Sequence, residues 1–523
     1  MKKIIFPIIT LLISMAACTD LEIEPKSSAT SAVVFNDESS YTAFIAKVYA
    51  GLAVTGQLGP AGDADIKGID EGFSNYLRQY WQIQELTTEE AVITWGDEGL
   101  DDLNAHTWTS ANQFITATYY RIFFQVSMAN EFLRETTDGK LDERGVSDET
   151  RALIQEYRAE ARFLRALSYW HGIDLFGSIP FYTEETEIGS SAPEQVDRTT
   201  VFNFLDEELQ AIEEDMVAAG QNEYGRADRG ALWMLQAKLY LNAEVYTGQQ
   251  KYTEAITAVN KIISSGAYGL EENYGSNFLA DNHNSGEIIF SIPFDGERTI
   301  TWGGMTYLVH APVGGGMDPA TYGIDGGWAG LRTTKTFVNL FPDVTGSLDT
   351  RAMFYTEGQS LEINDQFSFT DGYAIPKFKN VDAEGLVGSD LTHPDTDYPM
   401  FRLADAYLMY AEAVLRGGAG GDQSQALSYI NELRARSYTS TAAGTVSADN
   451  FTLDFILDER ARELFWEGHR RTDLIRFGEY TSMVWPWKKE TKDGQASEEF
   501  RELLPIPSSE LLANPNLEQN EGY

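Results

Sequence analysis

Apolar residues recur at helical spacing along most of the chain. From Glu38 to Leu52 the stripe Tyr41, Phe44, Ile45, Val48, Tyr49 and Leu52 predicts an amphipathic helix. Residues Asn112 to Thr136 continue the pattern through Phe114, Tyr119, Ile122, Phe123, Val126, Phe132 and Leu133. A longer helix is predicted over Asp148 to Leu175, capped by Ser147 with acids behind it and ended by Gly177 and Pro180. Further helices are predicted over Thr199 to Ala218, Asp228 to Tyr246, Tyr252 to Ser265, Leu403 to Leu415, Gln423 to Ser437, Asp454 to Glu467 and Thr472 to Tyr480. Between Gly266 and Tyr398 the period fades into Gly, aromatic, Asn and Asp residues, with only short apolar runs such as Glu287 to Pro293. That stretch predicts a loop-rich excursion.

Two of the helix pairs share an order of small and large residues. In Ala231 to Ser265, Trp233, Ala237 and Tyr240 lie on one face and Ala255 and Val259 follow on the next helix; in Leu403 to Ser437 the run is Tyr407, Ala411 and Val414, then Ala426 and Ile430. These resemble tetratricopeptide helix pairs, in which small residues let two helices approach and aromatic residues fill the groove. Generic antiparallel packing accounts for either pair alone. Both together predict an all-α scaffold of stacked helix pairs carrying a large irregular insert.

Charge narrows the function. The 80 Asp and Glu against 39 Lys and Arg give a net charge of −41, which repels nucleic acid and other polyanions, and no run of Lys and Arg offsets it. With 10 Trp, 26 Tyr and 28 Phe the chain can bury a large core. The single cysteine excludes a disulfide within the chain. It follows Met1-Lys2-Lys3, an apolar run from Ile4 to Met15, and Ala16-Ala17, the arrangement of a secretory signal that is too short to span a bilayer. Residues 1–17 are therefore expected to be a signal peptide, Cys18 an acylated lipid anchor at the membrane, and residues 18–30 a lipidated tether. Met15 stands where such lipoprotein signals usually carry Leu.

Signatures of catalysis are missing. The sequence has no Walker lysine motif, no Gly-x-Ser-x-Gly elbow and no His-Glu-x-x-His, and Gly314-Gly315-Gly316 lacks a following Lys. Asp63-x-Asp65-x-x-Gly68 starts like a calcium loop but has Lys67 at the fifth position and Ser74 at the twelfth, so it is read as a polar loop; the oxygen-rich run Asp281 to Gly286 could hold a structural cation. Pairs such as Asp97/Glu98 and Asp101/Asp102 are expected by chance among 80 acids. No catalytic residue, metal site or cofactor is assigned.

The aromatic residues outside the helices carry the sharper signal. Trp95, Trp302 and Trp328 each lie in a loop bordered by glycine. A sugar ring stacks its C–H face on an aromatic face, while polar neighbours hold its hydroxyls and glycine clears room beside it. At least two of the three are expected to face one groove. Trp170, Trp233 and Trp466, in helical stripes, are expected in the core, as are Trp81, Trp108, Trp485 and Trp487.

Several segments then resemble the SusD/RagB family, surface glycan-binding lipoproteins of Bacteroidetes. They are Arg162 to Trp170 with Leu175 to Pro180, Gly225 to Asp228 leading to Ala237 to Asn242, Phe401 to Tyr407, Glu459 to Leu464 with Glu467 to Leu474, and the ending Pro505-Ile506-Pro507 to Asn514-Pro515-Asn516. The resemblance covers essentially the whole chain. It implies about four tetratricopeptide-like units beside an irregular glycan-binding half, and the absence of enzymatic activity. It further implies a TonB-dependent, SusC-like outer-membrane transporter as partner. On this view residues 31–265 form an N-terminal helical part with a glycan-site loop near 70–110, residues 266–398 the glycan-binding insert and residues 399–523 a C-terminal helical part. Glu463, Glu467, Arg470, Arg471 and Arg476 become a structural charge network. The insert is especially similar to that of the starch-binding type member, which places Trp95, Trp302 and Trp328 on an aromatic arc, Arg78 on a polar contact and Glu98 where that member has an amide. The charge of −41 favours a neutral glucan, starch-like by the resemblance; a Trp at 302, where that member has a smaller aromatic, broadens the platform and suits laminarin as the alternative. A glycoside hydrolase and a peptide-binding helical adaptor are the remaining readings.

Overall fold

The computed structural model describes residue 35, residues 37–187, residue 189 and residues 192–523. The signal, Cys18 and the tether lie outside the described residues.

Helices form where the stripes predict them. Helix α1 (Ser39–Ala50) buries Tyr41, Ile45 and Val48. Helix α2 (Tyr76–Glu85) carries no stripe because all ten of its residues are buried, so burial has no period to read. Helices α3 (Gln113–Glu135) and α4 (Asp148–Phe176) are capped by the Asn112 and Ser147 side chains and pack against each other. Helix α5 (Arg198–Ile212) packs on α4. It ends before Ala218, where the backbone turns instead. Helix α6 (Arg229–Leu241) stops short of Tyr246 because Asn242 leaves the helix and returns its side-chain amide to Lys238 O at 2.9 Å; Ala243–Thr247 then forms a separate turn. Helix α7 (Tyr252–Ser265) packs on α6.

Short elements make up the insert, among them α8 (Gly304–His310), buried throughout. Helices α9 (Leu403–Leu415) and α10 (Gln423–Ser437) form the next pair, and α9 also meets α7, which stacks the two pairs. Helix α11 (Leu453–Leu464) is shorter than the stripe because Phe465 turns extended and Trp466 takes φ 61°. Helix α12 (Arg470–Phe477) closes the frame against α2.

Among the described residues six short strands form three antiparallel ladders. They are β1 (Val92–Ile93) with β5 (Leu331–Arg332), β2 (Ile179–Pro180) with β3 (Gln195–Val196), and β4 (Ile288–Ile292) with β6 (Tyr398–Arg402). The last pairs Ile288 with Arg402 and Ile292 with Tyr398, joining the two ends of the insert next to α9. One hydrophobic cluster runs from Ile45 to Leu517 and takes in Phe290, Tyr307 and Phe337 of the insert, so frame and insert share a core.

Charges are buried at that junction. Arg351 reaches Asp349 at 2.8 Å, Glu459 at 2.9 Å and Glu463 at 3.0 Å; Arg402 reaches Glu287 at 2.8 Å, Glu463 at 2.7 Å and Glu467 at 2.6 Å. Arg436 adds contacts to Glu287 and Glu463, and Lys377 reaches Glu467 at 2.7 Å. Burial pushes the Glu463 carboxyl up, yet Arg436, Arg402 and Arg351 outweigh it and hold it at about 2. Arg470 pairs with Glu89, Arg476 with Glu412 and Asp473, and Arg471 gives Nη2 to Glu502 O. Every acid here is covered by cations, so the network joins insert to frame, and deleting one partner would strand a buried charge.

Candidate functional site

The β1–β5 ladder brings two distant loops together. Val92 pairs with Arg332 and Ile93 with Leu331; the contact continues through Thr94 N to Gly330 O at 3.0 Å and Thr94 Oγ1 to Ala329 O at 2.7 Å. The next residue out is Trp95, whose Nε1 donates to Trp328 O at 3.2 Å. Gly330 makes this possible, because a Cβ there would stand 2.6 Å from Trp95 Cε2 and expel the indole.

Helix α8 supports the second indole. Trp328 N donates to His310 O at 2.9 Å, and Gly330 N and Leu331 N donate to Ala311 O at 2.7 and 2.9 Å. The His310 ring stacks under Trp328 with centroids 4.9 Å apart and planes 25° apart, its nitrogens held at Gly326 O (2.6 Å) and Thr392 O (2.9 Å). Trp302 enters the same helix. Gly303 behind it packs on Asn75 so closely that a Cβ would stand 2.1 Å from Asn75 Cβ. Asn75 in turn caps α2 by accepting Arg78 N at 2.9 Å.

Trp95, Trp328 and Trp302 thus stand side by side. Their centroids are 6.2 and 6.3 Å apart, and successive planes turn by 48° and 60°. His393 extends the row, 5.3 Å from Trp302. All three indoles are half-buried, Trp95 tied by its Nε1 and Trp328 resting one face on His310. The platform is not flat.

Arg78 lies beneath the platform. It is 7% exposed, gives Nη1 to Gly72 O at 3.2 Å and Trp302 O at 3.3 Å, and lies 4.4 Å from the Tyr307 ring and 5.8 Å from Trp95. Burial pulls its pKa down against the opposing pull of Tyr307, Asp97 and Asp70. In this geometry Arg78 braces Trp302 and Trp95 from behind. Glu98 is exposed at the margin, its backbone carbonyl accepting Gln113 Nε2 at 2.7 Å.

The sequence signal missed Tyr307, His310 and His393 because the first two lie on a helix buried on all sides and the third stands alone in a loop. Asp70 and Asp97, both exposed, place carboxylates near Arg78. Trp81, Trp108, Trp170, Trp466 and Trp485 are buried. Trp233 is half-buried instead of in the core, because its Nε1 turns outward to Glu213 at 2.9 Å and Lys261 covers its ring. Trp487 is also half-buried, its Nε1 donating to Ile363 O at 3.0 Å. The loop at Asp63 is tied down by Lys47, which holds Asp65 at 2.8 Å, and Asn282 bridges Asn277 O and Asp397 O. Among the described residues no group of three or more His, Cys, Asp or Glu gathers as a metal site, and no helix is long and apolar enough to cross a membrane.

Comparison with known proteins agrees with this architecture. Residues 355–523 match the SusD family, and residues 68–222 match a family described as starch-binding associating with outer membrane. The starch-binding protein SusD of Bacteroides thetaiotaomicron is 36% identical, with 96% of this chain and 95% of that protein covered. A SusD superfamily protein of Bacteroides vulgatus superposes with a TM-score of 0.71 at 19% identity, covering 94% of this chain and 100% of that one. Surface glycan-binding protein A of Bacteroides thetaiotaomicron, solved with laminarihexaose, gives a TM-score of 0.69 at 20% identity over 92% of this chain and 99% of that one.

Proposed function

This chain belongs to the SusD family, and from that premise we propose that it is a non-catalytic surface lipoprotein that captures a neutral glucan, starch-like in curvature, on the arc of Trp95, Trp302 and Trp328. The observation that carries the reading is the turn between successive indoles, 48° and then 60°. A flat ribbon of sugar rings would touch one indole and lift from the next. A chain that winds, as an α-1,4-glucan does, keeps contact with all three. Arg78 and His310 hold the platform, and Asp70, Asp97 and Glu98 offer acceptors for sugar hydroxyls at its edge. The likeness to starch-binding SusD supports this ligand, and the width of Trp302 supports laminarin, a winding β-1,3-glucan, as the second choice. Family membership supports anchoring through Cys18 at the outer membrane and delivery to a SusC-like TonB-dependent transporter.

Affinity electrophoresis in native gels containing starch, laminarin, levan or xylan tests the reading. Retardation by starch, with laminarin second and no release of reducing ends, is expected. Retardation by levan or xylan alone would contradict it.

A further inference from the structure

A cavity of about 620 Å³ opens between α1, the turn at residues 54–59, the turn at residues 223–226, β4 and residues 298–300, and no residue of the arc lines it. Its size falls in the range of roughly 300–1,000 Å³ typical of small-ligand clefts. The cations on its walls are already neutralised. Lys47 holds Asp65 at 2.8 Å, Arg226 grips Glu160, and Arg298 holds Asp295 at 2.7 Å. An entering anion finds no spare cation, and a hydrocarbon would cover these polar edges without partnering them. A neutral molecule rich in hydroxyls meets both conditions.

Two side chains point to how such a molecule would sit. The Tyr224 ring is 49% exposed, yet its hydroxyl donates to Asp397 at 2.5 Å, and Asp397 is itself fixed by Phe294 N at 2.7 Å. The ring is pinned at its far end with its face open, as a stacking platform requires. Beside it Ser291 is 2% exposed and its side chain meets the Tyr224 hydroxyl, which fixes that hydroxyl from a second side.

We propose that this cavity is a second binding site for a neutral glycan, with Tyr224 as the stacking face and Arg226 and Arg298 as hydroxyl contacts. The inference rests on the glycan-binding reading above and adds a site to it. Residues 298–300 lie just before Trp302 in the chain, so one short loop connects cavity and arc. A polymer engaging both gains by effective concentration without any new contact.

Calorimetry with maltoheptaose, repeated with laminarihexaose, decides it on the wild type, Trp328→Ala, Tyr224→Ala, Arg298→Ala and the Trp328/Tyr224 double variant. Two oligosaccharides per wild-type chain are expected, one in each aromatic single variant and none in the double. Arg298→Ala, at an exposed position, should weaken the second site about fivefold. One oligosaccharide per wild-type chain, abolished by Trp328→Ala and untouched by Tyr224→Ala and Arg298→Ala, would overturn the second site and leave the arc intact. One abolished by Tyr224→Ala alone would overturn the arc and leave the cavity. Binding of neither sugar would overturn both.

Discussion

The helical frame and the aromatic arc both hold large side chains in place, by opposite means. In the frame, side chains fix one another: Arg402 meets Glu287, Glu463 and Glu467, all buried, and each acid has a second cation. In the arc, the backbone does the fixing. Trp95 is tied to Trp328 O, Arg78 to Trp302 O, and His310 to Gly326 O and Thr392 O. Side chains occupied with each other make a rigid wall, whereas the indoles beside these backbone anchors stay half-exposed. A single substitution should therefore unfold the frame, while in the arc it should remove binding and leave the fold.

The largest effect is expected in the frame. Arg402→Ala leaves Glu287, Glu463 and Glu467 short of a cation in a dry interior, and a loss of about 3–5 kcal/mol is expected. Urea unfolding measures it, and a loss below about 1 kcal/mol would show the network to be dispensable.

Next comes pH. Burial pushes the Glu85 carboxyl up to about 7, against its bonds to Glu90, Gly468 N and His469 N. Raised folded-state pKa values of the hydrogen-bonded Glu85 and Glu90 mean that stability falls as pH rises from about 4.5 through 7. Glu412 and Glu463, both held at about 2, act in the opposite sense: their contribution is complete above about 4.5 and lost as pH falls towards 2. Unfolding midpoints should therefore peak in mildly acidic solution, and Glu85→Gln should flatten the alkaline side. An unchanged alkaline slope in that variant would remove Glu85 as its source.

In the arc, Trp302→Ala should weaken glucan binding by about 1–3 kcal/mol, through lost stacking, with cooperative unfolding retained. The smallest effect is that of salt. Stacking is uncharged and the field of the −41 chain is screened beyond ~8 Å at physiological ionic strength, so affinity for a neutral glucan should stay nearly constant as salt rises. A steep salt dependence would point to a charged ligand.

How far each region could be read in the sequence follows the same division. Tyr252–Ser265 was legible to the residue because one face is buried and the other is polar, and Leu403–Leu415, buried from Leu403 to Ala413, was legible because Ala, Leu, Met and Glu all favour the helix. Tyr76–Glu85 was not, since all of its residues, Arg78 and Glu85 included, are buried and no face contrasts with another. The helix predicted to Glu467 ends at Leu464 because Trp466 bonds Glu90 O at 3.1 Å, a partner 376 positions away. In the arc the tryptophans were visible by their glycine borders. Their convergence was not, because it depends on two-residue strands too short to show alternation. Arg78 was expected to touch sugar, and its place beneath Trp302 emerges only once α2 is seen to start at Asn75.

The most direct test of the arc is calorimetric titration of maltoheptaose into wild type and Trp328→Ala, with thermal unfolding of both recorded alongside. The account predicts loss of the arc's binding event in the variant, with a cooperative unfolding transition close to that of wild type. Undiminished binding by Trp328→Ala, or binding lost only together with the fold, would contradict it.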